Sequence, residues 1–324
     1  MIGLGTWQLG AADWGDVSEG DALAVLDAST AAGVTFFDTS DVYGDGRSET
    51  LIGRFLAANP GVGITVATKM GRRGAQDAAN FTLANFREWT DRSRSNLQMD
   101  TLDLVQLHCP PTAVFSDDAV FDALDTLVAE GAIANYGVSV ETCDEALAAI
   151  ARPGLATVQI ILNAFRLKPL DAVLPAARKA DVGIIARVPL ASGLLSGRYT
   201  HETVFAQNDH RTFNRHGEAF DIGETFSGVY YQAGVTAAQE FAAAVAHVRE
   251  AQGIDADKLT PAKAALAWVA QQDGVSAVIP GARSVDHARA NAAAGSVAPL
   301  GAEFEAAVRD IYDRTFRATI HDRW

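Results

Sequence analysis

Short apolar runs and Ala/Leu-rich stretches of helical spacing alternate along this chain from one end to the other. The apolar runs predict strands at 2–5, 35–38, 64–69, 102–108, 134–140, 157–163, 183–189 and 276–280. Between them the apolar spacing predicts helices at 18–32, from near Ser48, and at 85–98, 117–130, 141–150, 171–180, 237–252 and 260–273. Ser18-Glu19-Gly20-Asp21 has a capping pattern, and Thr260-Pro261 supplies an N-cap followed by proline at the first helical position. Strands that read as apolar runs, in βαβα order, imply a parallel sheet covered by helices. Eight strands suffice to close a barrel, so the expected fold is a single (β/α)₈ TIM barrel in one domain, 1–324. The segment 199–234 departs from the repeat. It is polar and aromatic, and a connection of that length is usually a lid or a binding loop.

Composition narrows the classes. The 324 residues are 48% hydrophobic and 20% charged, ordinary for a soluble globular protein. A formal net charge of -14 argues against binding a phosphate backbone, so no nucleic-acid partner is expected. Two cysteines, Cys109 and Cys143, are too few for a disulfide framework or a zinc site. The seven histidines show no paired ligand spacing, so no metal is expected. No apolar stretch is long enough to span a membrane, and the first residues lack a signal-peptide pattern. The expectation is a cytoplasmic protein.

The chemistry gathers at strand ends. Asp38 closes the second strand, with Tyr43 on the following loop. Lys69 and His108 close the third and fourth. In a (β/α)₈ barrel these positions belong to the catalytic face. Carbonyl reduction by hydride needs a proton donor to the developing alkoxide, and a tyrosine of reference pKa about 10 needs help near neutral pH. Lys69 is the candidate ammonium that lowers the Tyr43 pKa, and Asp38 would hold that ammonium. His108 could hydrogen-bond the substrate carbonyl. A barrel-mouth ion pair and a satisfied core histidine are the plain structural alternative, but they leave Tyr43 without a role. Gly3-Leu4-Gly5 invites a dinucleotide-fingerprint reading, which fails because the third glycine would fall at Gln8.

With these residues in place, the chain resembles the aldo-keto reductases along essentially its whole length. The resemblance is carried by Gly3-Leu4-Gly5-Thr6-Trp7, Phe37-Asp38-Thr39-Ser40 with Tyr43-Gly44, Thr68-Lys69, Gln106-Leu107-His108 and Tyr136-Gly137-Val138-Ser139. Pro189–Tyr199 and Ile279-Pro280-Gly281-Ala282-Arg283 complete it. It implies a catalytic tetrad of Asp38, Tyr43, Lys69 and His108, with Tyr43 as general acid/base. It also implies NADP(H), with NAD(H) as the alternative, laid across the mouth of the barrel. Gly5, Thr6, Trp7 and Asp38 would approach the cofactor. Ser139 and Gln159 would meet its carboxamide, and Arg187 would stand where an aromatic residue often stacks on the nicotinamide. The loop carrying Pro189, Leu190, Gly193, Leu194, Ser196 and Arg198 would wrap the pyrophosphate. Gly281, Arg283, Ser284, His287 and Asn291 would take the adenosine-phosphate end.

The departures are Val140 where many members have asparagine, and Gly281 and His287 at positions basic in many strict NADP users. The sequence opens directly on the first strand, so either this member does without the hairpin that plugs the barrel bottom in many relatives or the given start is downstream of the natural one. The implied reaction interconverts the carbonyl and alcohol groups of a small aldehyde, ketone or sugar, held by Trp7, Tyr43 and His108. Trp14, Phe213, Phe220, Phe226, Tyr230 and Tyr231 suggest apolar pocket walls. Two other readings stay open: a nicotinamide-binding regulatory subunit of low turnover, and a Schiff-base lyase with Lys69 as nucleophile.

Overall fold

In the computed structural model, which describes residues 1–10 and 17–324, eight parallel strands pair in chain order, β1 to β8. They are β1 Leu4–Gly5, β2 Phe36–Asp38, β3 Thr65–Met70, β4 Leu104–His108, β5 Tyr136–Ser139, β6 Leu155–Ile161, β7 Gly183–Arg187 and β8 Val275–Val278. The ring closes where bridges join Ile2 to Val278 and Gly5 to Gly281, and where Gly3 N–H donates to the Val278 carbonyl at 2.8 Å. The expected (β/α)₈ barrel is therefore the observed one. Trp14 lies outside the described residues.

Period-two alternation explains the two apolar clusters. Outward-facing Phe37, Val66, Val105, Leu107, Val138, Val158 and Ile184 join the large core between sheet and helices. Inward-facing Ala67, Leu104, Ile185, Ala277 and Ile279 form a small separate cluster inside the barrel, with Phe36 and Ala156 against it. Two residues further along four of these strands the same inward face turns polar, at Asp38, Lys69, Gln106 and Arg187, and Gln159 of β6 is buried with them. Register makes this a layer, because Asp38 pairs with Ala67, Lys69 with Gln106 and Ser139 with Gln159.

The caps read from sequence form: Ser18 accepts from Asp21 N–H, and Thr260 from Lys263 N–H. β1 to β5 start one or two residues later than their apolar runs suggest, β7 starts where its run does, and β6 and β8 start earlier; ahead of β4, Leu102 is buried and makes an isolated bridge to Ile133. The long connection is more ordered than expected at its end. The helix Tyr231–Gln252 begins within it, so Tyr231 is helical, and a helical turn, His210–Phe213, lies inside. Helix Ala302–Thr315, unassigned from sequence, packs on Tyr231–Gln252 through Phe304 and Phe241, ring centroids 5.4 Å apart. Among the described residues no helix is long and apolar enough to cross a membrane.

Candidate active site

Glycine brings Tyr43 to the barrel mouth. A side chain at Gly10 would meet the Tyr43 carbonyl at 2.5 Å, and one at Gly44 would collide with the Gly10 carbonyl. The turn Trp7–Gly10 and the Tyr43 loop therefore touch backbone to backbone. Trp7 then lies parallel to the Tyr43 ring, with centroids 6.0 Å apart and planes at 18°.

Below them, the Lys69 ammonium donates to Asp38 Oδ2 at 2.6 Å, to the Thr39 carbonyl at 2.8 Å and to Tyr43 Oη at 3.3 Å. Asp38 Oδ1 accepts from Gln159 Nε2 at 2.7 Å and from Gln106 Nε2 at 3.4 Å. A buried charge pair is costly unless such hydrogen bonds complete it. Burial alone would lower the Lys69 pKa, but Asp38 and then Tyr43 outweigh it, and the ammonium is held charged. The Tyr43 pKa contradicts the sequence expectation in its net direction. Burial pushes it up, Lys69 pulls it down, and the nearby carboxylates Asp38 and Glu224 push it up again. The balance lies above the ordinary value, so Tyr43 is a protonated phenol at neutral pH.

His108 stands edge-on to Tyr43, ring centroids 6.1 Å apart. Burial, then the cations Arg72, Lys69 and Arg187, push its pKa well below normal, so the ring is neutral. Its Nδ1 lies 3.0 Å from Ser40 Oγ and its Nε2 lies 3.3 Å from Arg72 Nη1. Arg72 also donates to Glu224 at 3.1 Å, and Arg187 donates to Glu141 at 2.8 Å and faces Glu224 at 3.8 Å. Burial would raise the Glu224 pKa, but Arg72 and Arg187 hold it down at about 2, whereas burial drives Glu141 up to about 7. Cys109, Glu141 and Glu224 bring potential ligand atoms within 4.8 Å of one another. The Arg187 guanidinium reaches all three, so the chain itself supplies the positive charge there.

Residues 199–230 cover this floor. His210 and Phe220 pack on Trp7 at 5.2 and 5.9 Å, and Glu224 inserts between the two arginines. The cover is fastened from behind: Trp324 Nε1 donates to Asp221 Oδ1 at 3.0 Å, and the Arg166 guanidinium stacks on the Trp324 ring at 4.1 Å.

The resulting cleft, about 770 Å³, is lined by most of the residues singled out from sequence. Gly5, Thr6, Trp7, Asp38, Tyr43, His108, Ser139, Gln159 and Arg187 surround its floor. Pro189, Leu190, Gly193, Ser196 and Arg198 form one wall, and Gly281, Arg283, His287 and Asn291 the far end. Three residues stand back from it. Lys69 lies beneath Tyr43, the Leu194 side chain is buried in the core, and Ser284 caps helix Val285–Ala292 by accepting from His287 N–H. Gln159 turns its amide onto Asp38, and Arg187 is held in plane by Glu141 and the Val140 carbonyl.

Sequence reasoning missed Arg72, Arg211, Glu224 and Lys263. The motif Thr260-Pro261 had marked a helix start beside Lys263, and that was the available signal. Arg72 and Glu224 meet only through the barrel, 152 positions apart.

The donor set fits a dinucleotide. Arg198, Lys263, Arg283 and His287 share the far end of the cleft in a chain of net charge -14. His287 is pushed down by burial, then by Arg198 and Arg283, which shows that these cations stand close together. Between that end and the floor, Val188, Ala191, Ser192 and Gly193 all take positive φ, at 53°, 48°, 53° and 97°. Such a run is costly for side-chain-bearing residues and marks a functional loop.

A closed parallel barrel with a Tyr–Lys–Asp group at its mouth and a cation-rich far end defines a nucleotide-linked oxidoreductase site. The family model for the aldo/keto reductase family matches residues 1–313, and the chain belongs to that family, whose members are NAD(P)H-dependent oxidoreductases. It is 31% identical to an uncharacterized oxidoreductase of Mycobacterium tuberculosis over 326 aligned residues, covering 98% of this chain and 90% of the relative. It is 33% identical to L-galactose dehydrogenase of Arabidopsis thaliana over 205 residues, covering 60% of this chain and 63% of that one. Among solved structures it is similar to glycerol dehydrogenase of Gluconobacter oxydans, with 27% identity, TM-score 0.77, and coverage of 97% and 92% of the two chains. An aldo-keto reductase of Klebsiella pneumoniae in complex with NADPH matches at 25% identity and TM-score 0.67, over 96% of this chain and 90% of that one.

Proposed function

We propose that the protein interconverts the carbonyl and alcohol groups of a small aldehyde, ketone or sugar, using NADP(H), with Tyr43 as general acid/base. The observation that carries this reading is the Tyr43 hydroxyl 3.3 Å from a charged, buried Lys69 on the floor of the cleft. When bound, the reduced nicotinamide supplies the hydride. In the reducing direction Tyr43 gives its proton to the carbonyl oxygen, and the raised pKa keeps that proton in place until it is needed. Lys69 then faces the phenolate at hydrogen-bond distance and stabilises it, while Asp38 and the two glutamines keep the ammonium fixed.

Thr6, Trp7, Ser139, Gln159 and Arg187 border the space for the nicotinamide, and the positive-φ loop with Arg198 borders the pyrophosphate. Arg283, beside Lys263 and His287, would favour the extra phosphate of NADP(H). The NADPH complex of the Klebsiella relative supports the same choice. Trp7 as a flat platform, with Glu224 and Arg211 as polar neighbours in the cleft, suits a polyhydroxylated substrate. Two relatives act on a sugar and on glycerol by their names. A Schiff-base role for Lys69 is disfavoured because its ammonium is ion-paired and held charged, whereas a nucleophilic amine must be neutral.

The test is a panel of aldehydes, ketones and sugars scored by nicotinamide absorbance with both cofactors. The parent should turn over repeatedly and prefer NADPH. Tyr43→Phe should lower kcat by about 10²–10⁴-fold with unchanged cofactor affinity. A variant reducing a good substrate at the parental rate would overturn the assignment, and a single stoichiometric oxidation of bound NADPH by the parent would favour a sensor.

A further inference from the structure

Arg187, at the end of β7, puts a guanidinium among the residues that surround the floor of the cleft. Its Nη2 donates to the Val140 carbonyl at 3.1 Å and to Glu141 Oε2 at 2.8 Å, and its Nη1 faces Glu224 at 3.8 Å. Its Nε is buried and has no hydrogen-bond partner among the described residues. Neither carboxyl group balances this charge fully. Glu224 is shared with Arg72, which approaches it more closely, at 3.1 Å. Glu141 is driven up to about 7 by burial, which Arg187 only partly offsets, with Glu224 and Asp221 adding to the rise. Around Glu141 stand Arg166, which donates to its carbonyl at 2.7 Å, and Cys109, whose thiol burial keeps protonated. Glu145 is turned away onto the Glu141 and Thr142 N–H groups. The charge of Arg187 is felt across the floor, since it helps to hold His108 neutral.

We infer that Arg187 makes the cleft distinguish the two redox forms of the cofactor, holding the neutral dihydronicotinamide of NADPH more tightly than the cationic nicotinamide of NADP⁺. This rests on the proposed function, in which the nicotinamide lies beside Tyr43 so that hydride and proton reach one carbonyl. The two forms carry the same phosphates and adenosine, so the cation-rich far end of the cleft cannot tell them apart. They differ by one positive charge at the floor, where Arg187 stands. A like charge at close range opposes the oxidised form even after partial balancing by carboxylates. An aromatic side chain at the same position would do the opposite, because the negative face of its ring attracts a cation. Residue type at position 187 therefore sets the sign of the preference. By linkage the bound couple is shifted toward its reduced form by the same factor.

Calorimetric titration of NADPH and NADP⁺ into the full chain tests this, with 2′-phospho-ADP-ribose, which lacks the nicotinamide, as reference ligand. The parent should bind NADPH more tightly. Arg187→Met should lower the ratio of the NADP⁺ Kd to the NADPH Kd about tenfold, chiefly by strengthening NADP⁺. Arg187→Lys should keep the ratio, and the reference ligand should bind all three proteins alike. In the parent the ratio should fall several-fold from pH 6 to pH 8.5, as Glu141 ionises and balances Arg187. Glu141→Gln should hold it at the high value throughout. The inference is overturned if Arg187→Met shifts both forms equally, or if the reference ligand follows NADP⁺. Should Arg187→Met fail to fold, a parent ratio that is flat in pH, or that changes equally in Glu141→Gln, overturns it. A parent that binds neither form would instead remove the proposed function itself.

Discussion

At the floor of the cleft, Asp38, Lys69, Gln106 and Gln159 stand on strand residues whose registers fix their spacing before any side chain is considered. Above it, residues 199–230 are held by side chains that reach far along the chain: Glu224 to Arg72, and Asp221 to Trp324. The floor inherits its rigidity from the closed ladder, so its geometry survives loss of single contacts. The cover has a few polar anchors and aromatic stacks, and each carries a larger share of its order. The two regions therefore fail differently when perturbed. The floor loses chemistry or global stability, and the cover loses local order.

The largest effect should come from Lys69→Met. It leaves the Asp38 carboxylate buried without its ammonium, a change that typically destabilises by about 3–5 kcal/mol. Urea denaturation would read this, and a variant as stable as the parent would show that Gln106 and Gln159 alone satisfy Asp38. Trp324→Ala comes next and addresses the cover. The indole fills the space over Gly228, where any side chain would collide with it, and holds Asp221. Hydrogen exchange across 217–228 should rise and kcat/KM should fall about tenfold, near 1.4 kcal/mol, while cofactor affinity stays constant. Global unfolding without local loosening would break the contrast drawn here.

The smallest effect concerns Asp41, on the floor side, buried two residues before Tyr43. Burial, then Glu49, raises its pKa to about 7, above the value of 3.8 it has in the unfolded chain. A raised carboxyl binds its proton more tightly when folded. Its stabilising effect is full below the unfolded pKa and is lost as pH rises through about 7. Asp41→Asn removes that slope. Thermal melts at pH 5 and pH 8 should therefore differ less in the variant, on the order of a few degrees, than in the parent. Equal differences would show that Asp41 does not titrate in this range.

The floor was largely legible. Alternating apolar runs of strand length announced eight strands, and polar residues closing three of them marked the mouth where Asp38, Lys69 and His108 now meet. The direction of the Tyr43 shift was not, because it depends on burial and on a glutamate from the cover, Glu224. Nor was the contact between His108 Nε2 and Arg72, which no local spacing encodes.

Local pattern by itself determined the alternation of strands and helices and the polar residues that close the second, third and fourth strands, because side-chain alternation follows directly from residue periodicity. Tertiary structure alone decided which groups face one another in the closed cleft: Glu224 between Arg72 and Arg187, Trp324 behind the cover, and His108 beside the Arg72 guanidinium. Those outcomes depend on through-space electrostatics between segments far apart in sequence, which are defined only once the ring has closed.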